Sequence, residues 1–243
     1  MIYKIYPLLV FLLLSFGKDS KNTSELKNAT TKTFAKVEKT LTVDAKIANI
    51  YEALKLNANN FNIPELRTFS EALKGFYLLK ERGIIQKNIL TLIDFSLSSN
   101  TKRLWVIDMT TNTILFNSLV AHGRNTGEEF ASAFSNTNSS FKSSLGFYAT
   151  GEIYQGKHGA SLRLDGLERG YNDNARERGV VMHGADYVSE SFIREHKRLG
   201  RSQGCPALPV ELTAEIIETI KDKSCLYIYH PSRTFMMEEK LIS

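Results

Sequence analysis

A cysteine on a tight turn is the first candidate for chemistry in this chain, in the stretch GRSQGCPALP of residues 200–209. Cys205 stands between Gly204 and Pro206, and a thiol presented there is a candidate nucleophile for attack on a carbonyl carbon. Such an attack also needs hydrogen-bond donors for the oxyanion. The backbone N–H groups of Gln203, Gly204 and Cys205 could converge on it, because glycine adopts conformations barred to other residues and Pro206 stiffens the turn.

A cysteine nucleophile needs a general base, and the sequence has five histidines. His183 ends the apolar run of GVVMHGAD, which predicts a place at the end of a buried strand, and Gly184 beside it leaves room for a ligand. His122, in VAHGR, has a similar setting. The other histidines occupy a loop, a charged helix and the position before a proline: His158, His196 and His230. His183 is the preferred base, although each histidine could instead be structural.

Other chemistries find less support in the spacing of the residues. Histidines at strand ends together with Cys205 could hold zinc, but no H-x-x-x-H or C-x-x-C spacing occurs. The G-x-S-x-G motif of serine hydrolases and a glycine-rich phosphate loop are also absent. A Cys205–Cys225 disulfide is the alternative for an exported chain. Cys225 lies in the apolar run SCLYIYH, which is typical of a buried thiol, so we expect both cysteines to be free.

The first seventeen residues, MIYKIYPLLVFLLLSFG, have the pattern of a secretory signal peptide. A positive residue, Lys4, precedes an apolar run that is shorter than the about 20 residues of a membrane span. We therefore expect export to the periplasm or cell envelope, with an uncleaved anchor as the alternative and the only membrane contact. The net charge of +5 and pI near 9.1 would favour nucleic acid, anionic membranes or an anionic polymer such as cell wall, and could equally reflect a solvated basic surface. Of these partners, we do not expect nucleic acid.

The remaining chain predicts an α+β, β-rich fold. Residues 18–43 have the polar composition of a flexible tether, and residues 44–83 carry apolar residues at helical spacing, which predicts a helical pair. Residues 84–243 form the predicted catalytic domain, a sandwich or barrel with short helices. The predicted strands are Ile89–Phe95, Arg103–Asp108, Ile114–His122, Leu145–Glu152, Ser161–Leu164, Gly179–His183 and Leu226–His230, and the predicted later helices are Ser189–Arg198 and Val210–Lys221.

Several blocks of this sequence resemble the murein L,D-transpeptidases of bacterial peptidoglycan. His183-Gly184 followed by Ser202-x-Gly204-Cys205 resembles their signature. The blocks SNTNSSFKSSLGFYATGE, GKHGASLRLDGLE, YNDNARERGVVMHGADYVSE and GRSQGCPALP are similar in the same order. The resemblance, over about residues 98–231, implies a β-sandwich-like catalytic domain without metal or organic cofactor.

The same resemblance implies the reaction. Cys205, with His183 as base, would attack the bond between the L-centre and the terminal D-alanine of a tetrapeptide stem. D-Alanine would leave, and the acyl group would pass to an amine of a second stem. Water as the acceptor would give L,D-carboxypeptidase activity. Two rivals stay open: a non-catalytic peptidoglycan-binding protein that keeps the fold, and a cysteine peptidase of ordinary proteins.

The chain departs from the commonest family motif, in which Ser-His-Gly-Cys is followed closely by arginine. Gln203 replaces the second histidine but leaves the backbone amides in place. Arg201 or Arg163 could take the place of the missing arginine against a substrate carboxylate. The other substrate-binding candidates are Gly184, Ser202, Tyr148 and the stretch 143–146. The hydroxyl of Ser202 could instead cap the turn.

Overall fold

The computed structural model describes residues 43–157 and 159–233. The predicted signal peptide and almost all of the predicted tether, as well as His158, lie outside the described residues. The chain divides into two units, Met1–Lys46 and Ile47–Ser243. The sheet, its core and the pocket described below all belong to the second unit.

The described residues contain the predicted helices. The helical pair consists of α1, residues 43–56, and α2, Leu66–Glu81. The later helices are α3, Glu190–His196, and α4, Val210–Ile220. Ser189 begins α3 because its hydroxyl accepts the Phe192 N–H at 3.3 Å, which satisfies one of the unpaired amides of the first turn.

The strands form a single mixed sheet, and the predicted β-rich α+β fold is confirmed. Their bounds are β1 Ile89–Asp94, β2 Leu104–Asp108, β3 Thr113–Ser118, β4 Gly146–Gly156, β5 Gly159–Gly166, β6 Val181–Gly184, β7 Ala207–Leu208 and β8 Cys225–Tyr229. The order across the sheet is β3-β2-β1-β8-β4-β5-β6-β7. The β1–β8 and β6–β7 pairs are parallel and the others antiparallel.

The sheet nearly closes on itself beyond β3. Sequence reasoning predicts one strand over Ile114–His122, whereas the structure ends β3 at Ser118. The chain then crosses to the other edge strand, where Ala121 forms an isolated antiparallel bridge with Ala207 of β7. Strand β7 is only two residues long, too short to leave a periodic signal in the sequence, and it was not predicted.

Alternating side chains divide the core between the two faces of the sheet. In β8, Cys225, Tyr227 and Tyr229 point to the face that α1 and α2 cover, and Leu226 and Ile228 point to the opposite face with α4. This alternation follows from the two-residue period of a strand. The helical pair is therefore part of the domain core through its apolar face, as its periodicity predicts.

A glycine allows α2 to approach the sheet closely. A Cβ atom added at Gly75 would lie 1.9 Å from Cζ of Phe147 in β4. Phe147 has little room to move, since its ring is buried and stacks on Tyr227 at 4.2 Å between centroids. The helix can take this position only because residue 75 has no side chain.

We predict that Gly75→Ala lowers the free energy of unfolding by about 1–3 kcal/mol, the usual cost of overpacking a core. The control is Glu81→Ala, at an exposed position at the end of the same helix. Urea unfolding followed by circular dichroism measures both. Equal stability of Gly75→Ala and the wild type would contradict this account of the packing.

Candidate active site

Pairing of two short strands brings the predicted base to the predicted nucleophile. Strand β6 contains His183, and its parallel neighbour β7 begins at Ala207, two residues after Cys205. The register sets His183 opposite Ala207 and Gly184 opposite Leu208. The turn that carries Cys205 therefore lies at the edge of the sheet beside His183.

The Cys205 turn has the unusual conformation that its glycine allows. Gly204 has φ +122°, in a region that side-chain-bearing residues rarely adopt. Ser202 spans the turn, because its hydroxyl accepts the Gly204 N–H at 3.0 Å and donates to the Cys205 carbonyl at 2.6 Å. This is the capping geometry that the sequence offers as the alternative role of Ser202.

The prediction for the three backbone donors needs one correction. The Gly204 N–H points to the Ser202 hydroxyl, so it is not directed at an oxyanion. Among residues 43–157 and 159–233, no backbone carbonyl accepts the N–H of Gln203 or Cys205, and the Cys205 N–H interacts with its own sulfur. Gln203 and Cys205 therefore stay the predicted donors.

Residues 141–143 also hold the turn in place, through the side chain of Ser143. The Ser143 hydroxyl donates to the Gly204 carbonyl at 3.0 Å and accepts the Gly123 N–H at 3.0 Å. The backbones lie so close that a Cβ on Gly123 would be 2.8 Å from Cα of Gly204 and 2.5 Å from the Phe141 carbonyl oxygen. The turn is thus held against two other backbone segments, one at Gly123 and one at residues 141–143, and the Ser143 hydroxyl links them.

The Cys205 thiol is half-buried and contacts backbone groups of the strand that follows Gly179. Its Sγ accepts the Val181 N–H at 3.5 Å and lies 3.7 Å from the Gly179 carbonyl oxygen. Burial raises the pKa of the thiol, while the Val181 N–H and the positive charges of Arg178 and Lys157 act in the opposite direction. The balance favours a neutral thiol at rest, which needs a base to become a nucleophile.

The geometry of His183 fixes which ring nitrogen can act as that base. Nδ1 lies 2.9 Å from the carbonyl oxygen of Gly184. A carbonyl oxygen only accepts, so this contact assigns the proton of the neutral ring to Nδ1 and the lone pair to Nε2. His183 is 4% exposed and lines the same pocket as Cys205. The ring is therefore held in the tautomer of a general base.

The pocket in front of the thiol has a volume of about 410 Å³. Three cationic side chains contribute to its wall, and none of the described residues that line it is acidic. The lining residues are Asn138, Ser139, Phe141, Tyr154, Lys157, Ser161, Arg178, Gly179, Val180, Val181, His183, Tyr187, Arg201, Ser202, Gln203 and Cys205. The pocket is suited to a ligand that carries negative charge.

Arg178 lines the pocket, and sequence reasoning did not single it out. The stretch NDNARERG contains two arginines in alternation, and nothing in their spacing distinguishes them. In the structure Arg176 pairs with Glu152 and Asp165 at the surface, whereas Arg178 lines the pocket. Lys157, Tyr154 and Tyr187 also line the pocket and left no signal in the sequence.

The two arginines that sequence reasoning favoured differ in their positions. Arg201 lines the pocket, but its Nη1 pairs with Glu128. Arg163 does not line the pocket, because it pairs with Glu152 at 3.1 Å and its guanidinium lies 4.4 Å from the centre of the Tyr154 ring. The substrate-binding prediction for Arg163 is therefore wrong for this pocket.

Two further substrate-binding predictions need correction. Tyr148 is fully buried in the core, where its hydroxyl donates to the Ser144 carbonyl at 2.9 Å, so it does not line the pocket. Gly184 leaves room for α4 and not for a ligand, since a Cβ there would lie 2.8 Å from the Thr213 hydroxyl oxygen. In both cases the residue is required by packing.

The other described histidines have structural or surface settings. His122 is 1% exposed, and its Nδ1 lies 2.8 Å from Nη2 of the fully buried Arg103. His196 stacks on Phe192 at the surface, with 4.0 Å between the ring centroids. His230 contacts the Ser232 hydroxyl at 2.7 Å. None of the three lines the pocket.

Both cysteines are free, so the structure contains no Cys205–Cys225 disulfide. Cys225 is fully buried in β8, and burial raises the pKa of its thiol strongly. In the part of the chain that the structure describes, no three His, Cys, Asp or Glu side chains form a group that could hold a metal ion.

A comparison with known protein families identifies the family of this chain. The family described as the L,D-transpeptidase catalytic domain matches residues 62–229, which is more than half of the 243 residues. The chain belongs to the L,D-transpeptidase family. The match begins before α2, so this L,D-transpeptidase domain includes the second helix of the helical pair. No curated protein matches the chain.

The solved structures that match this chain include L,D-transpeptidases, and the match spans less than two thirds of the length of the first of them. One from Mycobacterium smegmatis is 12% identical, with a TM-score of 0.38, and the match covers 59% of each chain. One from Xylanimonas cellulosilytica is 10% identical, with a TM-score of 0.36, and 76% of this chain matches 93% of that one. The cell shape determining protein Pgp2 from Campylobacter jejuni is 16% identical, with a TM-score of 0.38, over 64% and 55% of the two chains.

No helix of the described residues of this L,D-transpeptidase domain has the length and apolar character of a membrane span. The predicted signal segment lies outside that part of the chain, and export stays a prediction.

We predict that His122 makes the protein sensitive to mild acid. Burial and the adjacent Arg103 lower the pKa of His122 to about 4, from 6.5. As the pH falls, the unfolded chain therefore binds a proton at His122 at a higher pH than the folded protein does. The contribution of His122 to the free energy of unfolding is complete above pH 6.5 and is lost progressively towards pH 4. The loss is about 3 kcal/mol.

Urea unfolding at several pH values checks this prediction, with His122→Gln as the comparison. The variant retains the carboxylates that titrate in the same range, and the difference in slope between the two proteins isolates the histidine. Parallel pH profiles between 6.5 and 4 would show that His122 is not the sensitive group.

Proposed function

We propose that this protein is an exported peptidoglycan L,D-transpeptidase in which Cys205 is the nucleophile and His183 the general base. The observation that carries the proposal is their common pocket, together with the bond from His183 Nδ1–H to the Gly184 carbonyl at 2.9 Å. In the neutral ring that bond assigns the proton to Nδ1, so Nε2 is the nitrogen that would receive the thiol proton. The raised pKa of the thiol explains why such a base is needed.

The first half-reaction forms an acyl-enzyme. As Sγ bonds to the carbonyl carbon of the L-centre residue, the thiol proton passes to Nε2 of His183. The bond to the nitrogen of D-alanine then breaks, and the imidazolium returns its proton to that leaving amine. The products are free D-alanine and a thioester on Cys205.

The second half-reaction transfers the acyl group. The amine of an acceptor stem attacks the thioester carbonyl and gives its proton to His183, and the sulfur leaves and takes the proton back. Water in place of the amine gives a tripeptide stem and hence carboxypeptidase activity. Both outcomes use the same Cys205 and His183.

The oxyanion that forms in each half-reaction has two backbone donors close by, the amides of Gln203 and Cys205. No backbone carbonyl within residues 43–157 and 159–233 accepts either of them. Backbone donors are independent of the side chain, so the glutamine at position 203 supports the oxyanion as a histidine would. Loss of one such donor costs on the order of 100-fold or more in rate in enzymes of this kind of chemistry.

The charge of the pocket supports a stem peptide as the substrate. A tetrapeptide stem ends in a carboxylate, and the described part of the pocket wall carries Lys157, Arg178 and Arg201 but no acidic side chain. Glu128 offsets the charge of Arg201 from outside the pocket. The excess of positive charge favours peptides with free carboxylates, and it also fits the basic pI of the whole chain.

Export is part of the proposal because the substrate is a cell-wall polymer. It is supported by the pattern of residues 1–17, in which a positive residue precedes an apolar run.

We predict that a carbapenem, which resembles the acyl donor, adds covalently to Cys205 and not to Cys225. His183→Ala slows this acylation by about 100-fold or more, the usual contribution of a general base. His196→Ala, a change of a surface histidine outside the pocket, leaves the rate within about twofold. Intact-mass spectrometry with peptide mapping follows the adduct, and Cys225 is an internal control.

An adduct on neither cysteine in folded, reduced protein would favour the non-catalytic peptidoglycan-binding alternative. Equal rates in the two histidine variants would remove His183 from its role as base.

A further inference from the structure

Arg178 is a half-buried cation whose described partners are all neutral. Its Nη1 donates to the Ser135 carbonyl at 2.9 Å and to the Ser144 hydroxyl. Its Nη2 donates to the Lys142 carbonyl at 2.8 Å and to the Ser140 hydroxyl at 3.3 Å. No carboxylate among the described residues lies within ion-pair distance of it. Half-buried positive charge without a counter-ion is costly, which points to a negative charge that forms at this place.

All four groups that accept these hydrogen bonds belong to one segment, residues 135–144, which we call the site loop. The site loop forms part of the pocket wall through Asn138, Ser139 and Phe141. Ser139 has φ +56° and Phe141 has φ +55°, so two residues with side chains adopt the left-handed conformation. Such a conformation persists only where the surroundings stabilise it. The four hydrogen bonds from the guanidinium of Arg178 supply part of that stabilisation.

The site loop also contacts the catalytic turn directly. A Cβ added at Gly204 would lie 2.8 Å from the Lys142 carbonyl oxygen, which is the group that Nη2 of Arg178 binds, and 3.6 Å from Nη2 itself. On the other side of the same loop, Ser143 donates to the Gly204 carbonyl at 3.0 Å. The guanidinium is therefore one layer behind the backbone that carries Cys205.

We propose that Arg178 is the positioning residue of this site, which holds the site loop against the Gly204–Cys205 turn and keeps a positive charge beside the sulfur. The proposal rests on the proposed function only for the reaction of the sulfur with a stem peptide. Arg178 does not touch the reacting atoms; it acts through the loop and through its field. Its charge lowers the pKa of the Cys205 thiol against the larger effect of burial, and it stabilises the thiolate as His183 removes the proton.

The chain offers a matched control two residues away. Arg176 pairs with Glu152 and Asp165 at the surface and does not line the pocket. Arg176→Gln therefore removes an arginine from the same segment without changing the site loop. Arg178→Gln removes both the charge and most of the guanidinium hydrogen bonds, whereas Arg178→Lys keeps the charge and loses those hydrogen bonds.

Two measurements on the folded full chain separate the two roles, and neither requires transpeptidase activity. The first is the rate of Cys205 alkylation by iodoacetamide between pH 6 and 10, followed by peptide mapping. We expect Arg178→Gln to slow alkylation about tenfold at pH 8, a shift of about one pH unit in the profile. Arg178→Lys should restore the profile to within about threefold, and Arg176→Gln should match the wild type.

The second measurement is hydrogen exchange of residues 135–144 by mass spectrometry. Arg178→Gln and Arg178→Lys should both speed exchange in the site loop about tenfold or more, and Arg176→Gln should not. An unchanged pH profile in Arg178→Gln would overturn the electrostatic role. Unchanged exchange in Arg178→Lys would overturn the positioning role, and this variant decides that question even if Arg178→Gln does not fold.

Failure of the proposed function is a separate result. Wild-type protein that releases no D-alanine from a tetrapeptide stem would contradict the transpeptidase assignment. The alkylation and exchange comparisons would still test Arg178 in that protein.

Discussion

The parallel pairing of β6 with β7 is the interaction on which the candidate site depends. Its register sets His183 opposite Ala207, so the turn ending at Pro206 cannot move along the sheet without carrying Cys205 away from the histidine. A pair with a two-residue strand has few hydrogen bonds of its own. The bridge between Ala121 and Ala207, and the contacts of Ser143 and Gly123 with the Gly204 backbone, hold the turn from the other side.

The electrostatics of the site follow from that geometry. Burial raises the pKa of the Cys205 thiol, and the Gly184 carbonyl assigns the proton of His183 to Nδ1. The thiol is therefore neutral at rest, and a neutral His183 ring would carry its lone pair on Nε2. In the proposed reaction, negative charge would develop beside the cations of the pocket and the backbone amides of Gln203 and Cys205.

Local patterns in the sequence predicted the elements well, because each depends on short-range periodicity. The helices α3 and α4, the face of the helical pair that packs on the sheet and most strands have the predicted type. The two-residue strand β7 left no such pattern. The end of β3 was also misplaced: the apolar residues after Ser118 are buried, but they cross to the other edge of the sheet and bridge to β7 instead of continuing β3.

Site residues were predictable from the sequence where the chemistry requires a particular residue type. They were not predictable where the role of a residue depends on which partner the fold places beside it. A thiol in a glycine-proline turn and a histidine at a strand end are visible in the sequence. The choice of Arg178 over Arg163 is not, because it depends on which of several arginines meets a carboxylate outside the pocket. Tyr148 and Gly184 were misassigned for a related reason, since core packing and ligand contact favour the same residue types.

Intact-mass spectrometry of the protein after incubation with a disaccharide tetrapeptide tests the central claim most directly. The account predicts a mass gain that corresponds to a thioester, maps to Cys205 and accompanies the release of D-alanine. A cross-linked product or a tripeptide in the same sample would identify the acceptor as an amine or as water. Folded, reduced protein that shows neither a mass gain nor free D-alanine would contradict the account.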